Sequence, residues 1–120
     1  MKKPEYKSKK VQEKEQKSYT RDNSSLPHFH SICSTAEREL ALICTEGDNR
    51  YGEFNWCFLE KTNKVIELKK DAIQHIKNHL NLYQLGDRAE NHLAKIMWGC
   101  MAMIHHDSNC KHHETFKKGK

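Results

Sequence analysis

The sequence predicts an all-α fold, a small bundle of about three helices with a long structured loop between the first and the second. Three stretches between residues 32 and 106 place apolar residues three or four positions apart, the spacing of one helix face. Glycines follow the first two stretches, as they often follow helices. No stretch alternates apolar and polar residues like a half-buried strand. About 80 folded residues are close to the lower limit for a single core, so we expect dimerisation.

The first predicted helix begins near residue 32 and ends before Gly47. Residues 46–64 contain two glycines, three asparagines and no sustained period, which predicts a long structured loop. Loops of this kind often carry function. The inward face of the helix is predicted to comprise Ile32, Cys33, Ala36, Leu40, Ile43 and Cys44.

Two further helices are predicted to form an antiparallel pair. The second runs from Val65 to about Tyr83, and Gly86 ends it. The third follows directly, with Asp87 and Glu90 as an imperfect capping box, and ends near residue 106. The inward residues are predicted to be Ile66, Ile73, Ile76, Leu80 and Tyr83 on the second helix and Leu93, Ile96, Met97, Cys100, Met101 and Ile104 on the third.

The positive charge lies mostly outside the predicted helices. The chain carries +5 in total, and residues 1–24, with eight basic and four acidic residues, contribute +4 of it. Residues 25–106, the helical domain, are nearly neutral. Residues 1–24 are predicted to form a disordered basic arm, and residues 107–120 a polar tail rich in histidine and lysine. The arm suits contact with nucleic acid, but a solubilising role is the simpler interpretation and is favoured.

The sequence gives no sign of a membrane span or a secretory leader. No apolar run reaches the roughly 18 residues that a span requires, and the first ten residues lead into further charge. The five cysteines are scattered and odd in number, unlike a disulfide framework. We therefore expect a cytoplasmic protein with reduced thiols.

Histidines and carboxylates near the turn between the second and third helices form the first candidate site. His75 and His79 are four residues apart and project from the same side of a helix. Across the turn lie Asp87, Glu90 and His92, which an antiparallel helix pair brings near His79. Such a cluster suits a divalent metal. In the alternative, which spacing alone favours, Asp87 caps the helix and the histidines have no ligand role.

The seven residues from Arg50 to Trp56 form the second candidate site. They combine a cation, hydrogen-bonding groups and three aromatic rings. Aromatic rings stack on bases, the Arg50 guanidinium pairs with phosphate oxygens, and Asn55 reads the edge of a base or sugar. Alternatively, Phe54 and Trp56 fill the core and Gly52 permits the turn. Composition does not separate these interpretations.

Cysteines and histidines near the end of the chain form a third candidate. Their side chains suit zinc, but structural zinc sites usually present two close ligand pairs, and the spacing here is irregular. Adventitious metal affinity is therefore favoured over a structural site. The residues are Cys100, His105, His106, Cys110, His112 and His113.

The order and spacing of these residues resemble the dATP/dGTP diphosphohydrolase-type domain found in phage-encoded proteins. That family has a glycine and a Lys or Arg before Y-G-x-x-N-W, then R-H-L on a helix, then a G-E turn leading to D-H-L-A. The resemblance covers about residues 32–106, and its most specific part is the Y-G-x-x-N-W loop with the later histidine-leucine pairs. The matching residues are Gly47, Arg50, Tyr51, Gly52, Asn55, Trp56, Asn78, His79, Leu80, Gly86, Asp87, Asn91, His92, Leu93 and Ala94.

The resemblance implies an oligomeric, metal-dependent hydrolase that converts dATP or dGTP to monophosphate and pyrophosphate, a reaction similar to that of MazG-like enzymes. The implied cofactor is a divalent metal, Mg²⁺ first, with Mn²⁺ or Co²⁺ as alternatives. A phage-encoded chain would act in the host cytoplasm. The implied catalytic residues are His79, Asp87 and His92; the metal ligands are His79, Asp87, Glu90 and His92; the substrate contacts are Arg50, Tyr51, Asn55 and Trp56.

The sequence departs from the family pattern at three positions. Asn78 replaces arginine, Asp87 replaces the longer glutamate, and Asn91 replaces aspartate. The last change removes a carboxylate that Glu90, one position earlier, can supply. The alternative function is therefore a catalytically degenerate module of the same fold that binds nucleotide or protein.

Overall fold

A computed structural model of the chain describes residues 25–59 and 62–116. The described part contains three α-helices, α1 (Ser34–Tyr51), α2 (Thr62–Gln84) and α3 (His92–Ser108), and no strand. The prediction of a small all-α bundle is confirmed. None of the described helices is both long and apolar enough to span a membrane.

The described residues fall into two units, divided after Ser31, and the second contains the three helices. In the first unit the structure describes a short 3-10 helix, Phe29–Ser31. The predicted basic arm, residues 1–24, lies outside the described residues, so its disorder and its role stay predictions.

Helix α1 is longer than predicted. It continues through Gly47 and ends at Gly52, whose amide donates to the Asp48 carbonyl at 2.9 Å. The prediction that Gly47 ends the helix was wrong, because an internal glycine costs only about 1 kcal/mol and the following turns remain hydrogen-bonded. As a result Arg50 and Tyr51 lie in the last turn of α1 rather than in a loop.

Helix α2 agrees with the prediction and ends in a Schellman motif. Gly86 has a φ of 91°, which glycine adopts without strain. The amide of Asp87 donates to the Leu82 carbonyl, and the amide of Gly86 to the Tyr83 carbonyl, each at 3.0 Å. The Arg88 guanidinium lies 3.8 Å from the centre of the Tyr83 ring. These contacts produce the tight turn into α3.

Helix α3 is capped by Asn91 and not by the predicted Asp87/Glu90 box. The Asn91 Oδ1 accepts from the amide of Ala94 at 3.1 Å, so the helix starts at His92. Such a cap contributes about 1 kcal/mol. The Asn91 Nδ2 donates to Glu39 Oε2 on α1 at 3.0 Å. An aspartate here, as in the family pattern, would set a carboxylate against Glu39, so this asparagine joins α1 to α3.

Helices α2 and α3 pack closely and antiparallel. Lys69, near the start of α2, forms an ion pair with Asp107, near the end of α3, at 2.5 Å. Between these ends the helices touch at Gly99, where an added Cβ would lie 3.1 Å from Ile76 Cδ1. Helix α1 packs on the other helices mainly through α3.

The buried side chains of the described chain are small or polar. The buried set comprises Cys57, Ala72, His92, Ala94, Ala102, His105 and His113. The predicted inward faces were therefore wrong in part, because α3 turns its glycine, alanine and histidine positions to the bundle and leaves larger apolar residues outside. The exposed residues among those predicted to face inward are Ile32, Cys33, Ile66, Ile73, Leu80, Leu93, Cys100 and Ile104.

The segment predicted as a polar tail is structured as far as residue 116. Helix α3 runs to Ser108, and a 3-10 helix, His112–Phe116, follows. The rings of Phe116 and Phe54 stack with their centres 5.6 Å apart. The His113 ring packs edge-on against the Phe58 ring, with ring centres 4.6 Å apart. This C-terminal 3-10 helix thus covers the segment after α1. All five cysteines lie in the described part and are free thiols.

Candidate functional site

The turn between α2 and α3 brings two histidines into contact. His79 lies in the penultimate turn of α2, and His92 is the first residue of α3. Their Nδ1 atoms are 2.9 Å apart. His92 is 1% exposed, so its ring is held in place by protein on all sides.

Asp87 accepts a hydrogen bond from the other ring nitrogen of His92. Its Oδ2 lies 2.5 Å from His92 Nε2. Because a carboxylate accepts, His92 donates through Nε2, and its Nδ1 faces His79. Metal-binding histidines are commonly oriented by a carboxylate in this way. The structure thus places Asp87 on the far side of His92 from His79.

Glu90 brings a carboxylate oxygen to the histidine pair. Its Oε1 lies 3.9 Å from His79 Nδ1 and accepts from Lys95 Nζ at 2.6 Å. His79, Glu90 and His92 each offer one ligand atom, and these three atoms all lie within 4.8 Å of one another. Two imidazole nitrogens and one carboxylate oxygen form a set that divalent metals accept, so the donors fit a metal ion.

Electrostatics favour the metal-binding forms of these residues. Burial lowers the pKa of His79, and the nearby Glu90 carboxylate opposes this only in part, so the imidazole is neutral at neutral pH. The hydrogen bond from Lys95 lowers the pKa of Glu90, so that carboxyl is ionised. A neutral imidazole and an ionised carboxylate are the states that bind metal.

A cavity of 580 Å³ lies beside this cluster. His79 and Lys95 form part of its wall, whereas Glu90 and His92 contact those two residues from outside the lining, and Asp87 lies behind His92. Arg50, Tyr51, Asn55 and Trp56 line the cavity together. The structure therefore brings all four residues predicted to contact substrate into one space with His79.

The aromatic residues after α1 have different roles. Trp56 lines the cavity beside Trp98, with ring centres 5.7 Å apart, and its carbonyl accepts from His106 Nε2 at 2.8 Å. Phe54 instead packs against the C-terminal 3-10 helix, 5.6 Å from the Phe116 ring. The core-filling interpretation thus describes Phe54, while Trp56 both packs and lines the cavity.

Four acidic residues of the cavity lining were not among the site residues assigned from the sequence, where Glu67 stood only as an unassigned further carboxylate beside Glu37 and Glu39. Helix α2 contributes Glu67 and Asp71, which form a series with His75 and His79 at intervals of four. Residues four apart share a helix face, so this series was readable from the sequence. The last turns of α1 add Glu46 and Asp48 to this acidic lining.

Residues 16–116 match a protein family described as dATP/dGTP diphosphohydrolase, N-terminal. The chain belongs to this family. The match spans every residue of the His79 cluster and of the cavity, and it confirms the resemblance found in the Y-G-x-x-N-W loop. The dATP/dGTP diphosphohydrolase description refers to an N-terminal domain. No curated protein and no solved structure matches the chain.

Proposed function

We propose that the protein hydrolyses purine deoxynucleoside triphosphates, dATP or dGTP, to monophosphate and pyrophosphate. One observation carries the proposal: in a chain of the dATP/dGTP diphosphohydrolase family, a single cavity holds Arg50, Tyr51, Asn55 and Trp56 with His79 in its wall. A cavity of 580 Å³ is within the range of small-molecule sites.

The cavity offers separate partners for the two ends of a nucleotide. Trp56 and Trp98 present aromatic faces for the purine, and Asn55 offers an amide to a base or sugar edge. Lys95 and Arg50 are cations in the same lining, suited to phosphate oxygens. This arrangement supports a nucleotide as the ligand.

The acidic lining supports a requirement for divalent metal. A triphosphate brings about four negative charges, and it would be repelled by Glu67 and Asp71 without a cation to offset them. His79, Glu90 and His92 are the residues that would hold the ion, which neutralises charge on the phosphates when bound. Mg²⁺ remains the expected ion, with Mn²⁺ and Co²⁺ as alternatives suited to the imidazole donors.

Four further residues near the cavity are assigned roles from their positions. Asp87 orients His92 through Nε2. Glu67 and Asp71 lie on the α2 face that lines the cavity, where a carboxylate can accept a proton from an attacking water. Lys95 keeps Glu90 ionised.

The test is pyrophosphate release by the purified chain with Mg²⁺, Mn²⁺ or Co²⁺ across the four deoxynucleoside triphosphates. We expect metal-dependent release that prefers dATP and dGTP, because Trp56 and Trp98 offer more stacking area to a purine than to a pyrimidine. Binding of dATP without release under every metal condition would contradict hydrolysis and support the alternative, a degenerate nucleotide-binding module.

We also propose that the protein forms a homo-oligomer through α2. Ile66, Ile73 and Leu80 are seven residues apart, lie on one stripe of the helix, and are 53%, 46% and 45% exposed. Leu93 and Ile104 on α3 are exposed as well. Because few apolar residues are buried within one chain, burying this surface against a second copy would stabilise the fold.

Ile73→Glu is expected to shift the protein to monomer, because it places a charge in the middle of the apolar stripe. Gln74→Glu, an exposed position beside the stripe, is the matched control and should leave the assembly unchanged. Sedimentation velocity measures both. A wild-type chain that is monomeric at every concentration tested rules out the assembly.

A further inference from the structure

A second cluster of metal-ligand side chains lies outside the 580 Å³ cavity, near the end of α3. Cys57 comes from the 3-10 helix Asn55–Cys57, His105 from α3, and His112 from the C-terminal 3-10 helix. Each offers one ligand atom, and the three atoms lie within 4.8 Å of one another. Cys57 Sγ is 4.0 Å from His112 Nε2. Three segments distant in sequence thus converge on one point.

One ring nitrogen of the buried histidine in this cluster has no hydrogen-bond partner. Cys57 is 6% exposed and His105 is 7% exposed. Within the described residues, Nδ1 of His105 and Nδ1 of His113 are buried without a hydrogen bond. An unpaired buried polar group costs about 1–3 kcal/mol. A cation bound at His105 would give its unpaired nitrogen a partner.

We propose that Cys57, His105 and His112 bind a Zn²⁺ ion. Cysteine and histidine are the usual ligands of structural zinc. With zinc bonds of about 2.3 Å to sulfur and 2.0 Å to nitrogen, tetrahedral ligands lie about 3.5 Å apart. The separation of 4.0 Å between Cys57 Sγ and His112 Nε2 needs only a small closure. Cys110 Sγ contacts the other ring nitrogen, His112 Nδ1, at 3.5 Å, so it orients the ring and is not one of the three ligands.

Zinc binding at these residues requires the Cys57 thiol to lose its proton. Burial raises the pKa of the Cys57 thiol to about 11, so without metal the sulfur carries a proton. Burial and the neighbouring histidines lower the pKa of His105, which leaves its ring neutral. Zinc binding forms a bond to the Cys57 sulfur and releases the thiol proton to water, while the neutral imidazoles bind through lone pairs.

A zinc ion at this site would hold three segments of the chain together. It joins the segment after α1 to the end of α3 and to the C-terminal 3-10 helix, and Trp56, which lines the nucleotide cavity, precedes Cys57 directly. The proposal does not depend on hydrolysis, because the site is structural. Cys100, which sequence spacing grouped with these residues, is exposed and takes no part.

The test is titration of the metal-stripped full chain with Co²⁺ and Zn²⁺. We expect the ion bound at Cys57 to produce a thiolate-to-cobalt charge-transfer band, whether or not a further ion binds at the His79 cluster. The His79 cluster holds no cysteine, so this band reports only the Cys57 site. Cys57→Ser should abolish the band and weaken zinc binding by at least about 100-fold, whereas Cys100→Ser, an exposed cysteine on α3, should behave as the wild type.

His112→Gln provides a second variant, because its exposed side chain can change without disturbing the bundle. It should weaken zinc binding comparably while circular dichroism shows unchanged helix content. Cobalt binding without the charge-transfer band, or equal zinc affinity in wild type, Cys57→Ser and His112→Gln, would overturn the site and leave only adventitious binding by surface histidines.

Discussion

Replacing His92 by glutamine is expected to lower the rate of pyrophosphate release by at least about 10³-fold. His92 contacts both His79 and Asp87, and glutamine cannot present a nitrogen lone pair to the first while donating to the second in the same geometry. The measurement is kcat and KM for dATP at saturating metal. Loss in kcat with KM little changed is expected, because the residue acts on the reacting end of the nucleotide.

Because His92 is buried, His92→Gln can also affect folding. Two exposed carboxylates therefore provide a second test variant and a control. Glu90→Gln removes a ligand of the same cluster from an exposed position and should impair turnover as strongly. Glu37→Gln changes an exposed carboxylate in the first turn of α1, away from the cavity, and should have no effect. Wild-type turnover in both His92→Gln and Glu90→Gln would exclude this cluster as the catalytic centre.

Trp56→Ala is expected to lower the free energy of unfolding by about 2–3 kcal/mol, since truncating a half-buried tryptophan leaves a cavity. The centre of the indole ring lies 4.9 Å from the centre of the His105 ring and 5.7 Å from that of the Trp98 ring. Both neighbours therefore lose contact area when the indole is removed. The variant should also raise KM for dATP, because the stacking face in the nucleotide cavity is gone. Urea denaturation and steady-state kinetics measure the two effects.

Trp56→Phe separates packing from nucleotide contact. Phenylalanine keeps an aromatic face and most of the volume, so it should recover most of the stability and part of the affinity. Equal stability of wild type and Trp56→Ala would show that the segment after α1 does not depend on this ring. Unchanged KM in Trp56→Ala would remove Trp56 from the nucleotide contacts.

Local sequence signals predicted the helices well but not their ends. Gly86 ends α2 because a positive φ and two backbone hydrogen bonds close the turn there, whereas Gly47 lies inside α1. Both are glycines after an apolar stretch, so the residue type alone does not decide the outcome. Asn91, which caps α3 through the nearby Ala94 amide, was passed over for the Asp87/Glu90 pair, although asparagine is a favoured cap. Its second bond, to Glu39, was not predictable because 52 residues separate the two.

The candidate site was predicted where its residues form linear motifs. Arg50, Asn55 and His79 stand at recognisable spacings, and all three line one cavity. The contact of Cys57 with His112 was not predictable, since 55 residues separate them and no local pattern pairs them. The apolar stripe of Ile66, Ile73 and Leu80 was predicted, but wrongly as an inward face, because periodicity identifies an apolar face without saying whether the same chain or another copy covers it.

The contact at Gly99 has a consequence for variation within the family. With a hypothetical Cβ at Gly99 only 3.1 Å from Ile76 Cδ1, the separation of α2 and α3 is set by the combined volume at these two positions. The same separation determines whether His79 and His92 meet. Relatives with a bulkier residue at position 99 should therefore carry a smaller one at position 76, so that the two sites vary together while the histidine pair is preserved.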